Sequence, residues 1–233
     1  SDRNKDILIT QYFYSIAGLP TAELAQLVSA AWNDPNSILI TYRKKVSDPS
    51  TANTLILVNM ASDRNKDALI TQYLDSIAGL PTAELAQLVS AAWNDPNSIL
   101  MTYRRKVSDP STANTLVLVN MASDRNKDAL IAQHLDSKGK FNTAELVQLV
   151  AAAWNDPNSI LMTYWSKVSD LTVSNAILIA KKLDYHKKDE FLLQAVDRVS
   201  DLSAGNLSQF AAQSDNQEKE VLQRGLKRLA SGK

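Results

Sequence analysis

The sequence has no cysteine, which excludes disulfides, thiolate metal ligands and a cysteine nucleophile together. Its two histidines, His134 and His186, do not form a His-x-x-x-His pair. No Ser/His/Asp constellation is evident. Six glycines leave no glycine-rich loop for phosphate. No apolar run reaches the roughly 18–20 residues that span a bilayer, so no membrane partner is expected. Net charge is also missing: 25 Lys and Arg balance 25 Asp and Glu. Nothing electrostatic therefore draws the chain to nucleic acid or to an anionic surface. The chain opens on Ser1 without methionine, which reads as a processed chain or a fragment. These absences point away from an enzyme and predict no catalytic residues, cofactor or metal.

What the sequence does have is repetition. Residues 1–61 and 62–122 differ at six positions only: Ile7/Ala68, Phe13/Leu74, Tyr14/Asp75, Ile40/Met101, Lys44/Arg105 and Ile56/Val117. A third copy, 123–183, keeps its first half and then drifts. A diverged partial copy with a C-terminal cap fills 184–233, anchored by Lys188 and Asp189 on Lys127 and Asp128. Such self-similarity is the mark of a repeat architecture. The 61-residue unit also reads as double, with Asp63 laid on Asp95 and Asn65 on Asn97. The elementary unit is then a hairpin of about 30 residues, near the 33–34 of known helical repeats.

Four helices are expected in each unit. Leu69, Ile70, Tyr73, Leu74 and Ile77 form the first stripe at helical period, ending at Gly79 as a C′ residue. The second begins with Thr82 as its cap and carries Leu85, Leu88 and Val89. The third begins at Asp95-Pro96, an N-cap with proline at N1, and carries Ile99, Leu100, Tyr103 and Val107. The fourth begins at Asp109-Pro110 and includes "TLVLVNMA", where a strand competes. The paired Asp-Pro starts favour helix. The fold expected is all-α, an α-solenoid of stacked hairpins over 1–233 as a single repeat domain. "SDNQEKEVLQRGLKRLASGK" closes it, with Val221, Leu222, Leu226 and Leu229 as a narrow apolar stripe.

"SDRNKD" stands at residues 1–6, 62–67 and 123–128. Asp63-x-Asn65-x-Asp67 looks like the start of a calcium loop. Such a loop needs glycine at position six and glutamate at position twelve, and those places hold Ala68 and Leu74. Asp63 is read instead as a helix N-cap. His134 replaces Tyr12 and Tyr73 on an apolar stripe, which suits a packed or interface histidine. Trp32, Trp93 and Trp154 are read as core residues at a joint, with an aromatic row for a partner as the sharper alternative. Arg43, Lys44, Lys45 and Arg104, Arg105, Lys106 form basic triplets on the third helix, by default a solvated face. A partner-binding ladder is the alternative, with Trp165 and Ser166 replacing its cations in the third copy.

"LPTAELAQLVSAAW" and "LSAGNLSQFAAQ" resemble the helices of octotricopeptide and pentatricopeptide repeats. That resemblance implies helical hairpins and binding of single-stranded RNA. The 61-residue period and the zero net charge depart from it. Copies one and two could read only the same thing twice, since an RNA code needs residues that vary between repeats. A non-enzymatic scaffold or protein-interaction module is therefore expected, a recently duplicated or engineered array. Single-stranded nucleic acid is the alternative partner.

Overall fold

A computed structural model describes residues 2–231; Ser1, the first residue of the opening motif, and Gly232 and Lys233 of the cap lie outside the described residues. The described residues are all-α, with fifteen α-helices and no strand. The chain divides into two compact units, Ser1–Pro110 and Ser111–Lys233.

The first unit holds α1 (Asp2–Ser15), α2 (Thr21–Ala30), α3 (Pro35–Tyr42), α4 (Thr51–Met60), α5 (Asp63–Ser76), α6 (Thr82–Ala91) and α7 (Pro96–Tyr103). Helices α2 and α3 pack together, as do α4 with α5 and α6 with α7. Each also meets a helix two further on: α2 meets α4, α3 meets α5, α4 meets α6 and α5 meets α7. The core consists of Phe13, Leu24, Leu39, Leu69, Leu74, Leu85 and Leu100, all fully buried. Loops meet through single parallel bridges, Leu19 with Val46 and Leu80 with Val107.

The second unit holds α8 (Thr112–Met121), α9 (Asp124–Lys138), α10 (Thr143–Ala151), α11 (Pro157–Tyr164), α12 (Val173–Ala180), α13 (Tyr185–Ala195), α14 (Ala204–Ala211) and α15 (Glu218–Ala230). The "TLVLVNMA" run is thus helical, within α8. The packing rule is the same, pairing α8 with α9, α10 with α11, α12 with α13 and α14 with α15. Ile131, Leu146, Leu161, Phe191, Phe210 and Val221 fill its core.

Some helix starts differ from the sequence reading. Asp95 does cap α7, accepting from Ser98 N at 2.9 Å with Pro96 following. Asp63, however, is the first residue inside α5 and Ser62 holds the cap position. The Asp63 carboxylate pairs with Lys66 at 2.8 Å. Thr82 likewise lies inside α6, after Pro81. Asp109 does not cap α8; Ser111 does, accepting from Asn114 N. Asp109 reaches back to Thr82 instead, accepting from its N at 2.8 Å and its hydroxyl at 2.7 Å. Gly79 is not in the left-handed region, which only Gly139 enters among the described residues. A Cβ on Gly79 would stand 3.1 Å from the Lys106 carbonyl, so that glycine permits the close loop approach at the Leu80–Val107 bridge.

In the closing helix the buried positions are Val221 and Gly225, whereas Leu226 faces solvent at 57% exposure. A Cβ on Gly225 would stand 2.3 Å from Leu207 Cδ1, so α15 lies directly on the α14 side chain.

Candidate functional site

Long-range polar ties hold the corners, and they decide which side chains face solvent. Asp67, the last residue of "SDRNKD", accepts from the backbone N–H groups of Trp93, Asn94 and Asp95 at 2.7–3.0 Å. Asp6 holds Trp32 and Asn33 in the same way, and Asp128 holds Trp154, Asn155 and Asp156. In the diverged copy Asp189 takes Asp215 and Asn216. Hydrogen bonds to an ionised acceptor are the stronger kind. The recurring motif therefore fixes a corner 26–28 residues downstream. Among the described residues no group of three or more His, Asp or Glu is arranged to hold a metal.

The corners carry the tryptophans, and the core reading of them is overturned. Trp32, Trp93 and Trp154 are 65%, 63% and 63% exposed. Their backbones are anchored while their indoles project from the surface. Lys66 Nζ stands 5.7 Å from the Trp93 ring centroid, and Lys127 Nζ takes the same place over Trp154. Each lysine is thus shared between an aspartate and an indole face.

The basic triplets do not ride on an α-helix. Helices α3 and α7 end at Tyr42 and Tyr103, and the triplets form 3-10 turns, Arg43–Lys45 and Arg104–Lys106. The members of each triplet part ways. Lys106 Nζ donates to the carbonyls of Leu74 and Ile77 at 2.6 and 2.9 Å. Lys45 does the same for Phe13 and Ile16. Both serve the orphan carbonyls at a helix end. Arg104 is half-buried and donates through Nε to the Met101 carbonyl. Arg43 is only 9% exposed. Lys44 and Arg105 remain exposed. Trp165 is buried against Phe191 in an edge contact, with the Arg198 guanidinium 4.8 Å above its ring. Of the seven residues, Lys44 and Arg105 are the exposed ones.

Arg43 and Lys44 border a cleft of about 520 Å³ in the first unit, with Asn53, Gln72 and Asp75 also on its wall. Burial pushes the Arg43 guanidinium below its ordinary value. Nothing in the isolated sequence separates Arg43 from Lys44, because the difference lies in what α4 and α5 place above them.

His134 is buried and bonded to the Thr115 hydroxyl through Nδ1 at 2.8 Å. Burial lowers its pKa, with Lys138 adding to the effect and Glu145 opposing it. It is a packed histidine. No helix among the described residues is long and apolar enough to cross a membrane. No protein-family model matches the chain, and neither a curated protein nor a solved structure matches it.

Proposed function

We propose that the chain is a non-enzymatic module of stacked helical hairpins, an α-solenoid, whose partner is a protein engaged at the tryptophan corners. Packing supports the stacking half of this reading. Within each unit helices meet neighbours one and two places along the chain, as nearest-neighbour arrays do. The carrying observation for the partner half is Trp93, 63% exposed on a backbone clamped by Asp67. A large indole on a pre-ordered corner loses little entropy on binding, and tryptophan is enriched among binding hot spots.

The test compares the wild-type chain with a Trp32→Ala, Trp93→Ala, Trp154→Ala variant. Both should show the same helical circular dichroism, because exposed side chains contribute little to stability. Proteins retained on the immobilised wild type should be lost from the variant. Unchanged retention would remove the tryptophan reading. A labelled single-stranded oligonucleotide is the control arm. Salt-dependent binding abolished by Lys44→Ala with Arg105→Ala would favour the nucleic-acid alternative.

A further inference from the structure

The cleft of the first unit holds a largely buried cation that has no counter-ion. Arg43 is 9% exposed and lines that cleft. Its guanidinium carries five donors, yet it makes no hydrogen bond or ion pair among the described residues. Its one close partner is the Tyr73 ring, 5.7 Å from Cζ. A buried charge without a counter-ion is costly, and folded proteins pair such groups. Four other arginines among the described residues find oxygen acceptors, and of these Arg104 and Arg228 are part-buried. Arg104 donates to Met101, Arg198 to Ser166, Arg224 to Asp197 and Arg228 to Val196 and Val199.

We propose that this cleft binds a carboxylate, gripped by the Arg43 guanidinium, with Lys44 on the wall beside it. The volume, about 520 Å³, lies in the range of small-ligand pockets. The planar fork of a guanidinium matches the two oxygens of a carboxylate. A phosphate dianion fits less well, because Asp75 shares the wall and only one cation there is buried. The third copy shows the site dismantled. Trp165 stands in the Arg43 position and Ser166 in that of Lys44, while Arg198 donates to the Ser166 carbonyl at 2.6 Å. The proposal is independent of the tryptophan corners and concerns a different surface.

Titrations followed by NMR and by thermal unfolding test it, using glutarate, N-acetyl-glutamate N-methylamide and inorganic phosphate at matched ionic strength. Carboxylate should shift resonances around Arg43 and raise the Tm. Arg43→Met should weaken that binding at least about tenfold, the loss of one good charge-assisted contact. Its ligand-free Tm should equal or exceed that of the wild type, because an uncompensated charge has been replaced by an apolar chain. Arg43→Lys, which keeps the charge but loses the fork, provides a second variant and should also bind more weakly. Preference for glutarate identifies a free acid as the source, and preference for the capped glutamate identifies an acidic side chain of a polypeptide. No response to either carboxylate at tens of millimolar, about the weakest binding such a site would show, overturns the proposal. So does binding unchanged in both Arg43 variants, or binding of phosphate alone.

Discussion

Asp63 and Asp67 lie four residues apart on α5, yet their substitution should have different consequences. Asp63 is half-exposed and paired with Lys66, an arrangement that contributes little. Asp67 accepts from three backbone N–H groups. Asp67→Ala should therefore destabilise by about 1.5–3 kcal/mol, and Asp63→Ala by less than about 1 kcal/mol. Chemical denaturation of the two variants checks the order. His134 gives a pH signature at the same scale. Its native pKa is lowered by burial, so the unfolded chain binds the proton more readily. Stability should be fully present above the unfolded value of about 6.5 and fall as pH drops from there through the native value. His134→Tyr should remove that slope. Copy two already holds Tyr73 in the equivalent place, 3.2 Å from the Thr51 hydroxyl. Urea midpoints measured across the acid range would show whether the slope depends on this residue.

Single helices show how far local sequence reaches. Helix α7 was legible because its start depends on adjacent residues, Asp95 and Pro96. The capped ends of α5 and α6 were not, since Ser62 makes no side-chain capping bond and Thr82 is held by Asp109 from 27 residues away. Trp93 failed for the same reason. An apolar residue at a helix end suggests core, but the corner that turns it outward is set by Asp67. The closing helix repeats the lesson with Leu226 and Gly225. Gly225→Ala should destabilise by about 1 kcal/mol or more, because crowding against Leu207 outweighs the better helix propensity of alanine. Leu207→Ala in the same chain should make Gly225→Ala less costly, a coupling that a double-mutant cycle in urea would measure.

For the whole molecule, the tie spacing is the governing quantity. Asp67 reaches 26–28 residues forward, Asp109 reaches 27 back, and Lys106 reaches 29 and 32 back. Arg228 repeats the last pair of separations onto Val199 and Val196. Asn36 accepts from Ser62 N, 26 residues on, and Asn158 does the same for Asp184 N. These polar contacts thus share a stride of 26–32 residues. Inserting one further copy of residues 62–122 should leave the mean helicity per residue unchanged and the denaturation midpoint no lower, as nearest-neighbour arrays behave. A lower midpoint with lost helicity would count against the stacked arrangement.

Identical ties have a cost during folding. Asp48 holds Thr21 with the same atoms and nearly the same distances with which Asp109 holds Thr82. The flanking copies differ at six positions in 61. Chemistry alone does not tell Thr21 which aspartate is its own. A collapsing chain can join Thr21 to Asp109 and extrude one whole copy as a loop, and closing the longer loop costs only slightly more entropy. Such misregistered intermediates are the kinetic traps of arrays with near-identical neighbours. Refolding should therefore show a slow, concentration-independent phase. It should vanish when copy one is replaced by a sequence as diverged as copy four, which carries different side chains at most of the matching positions.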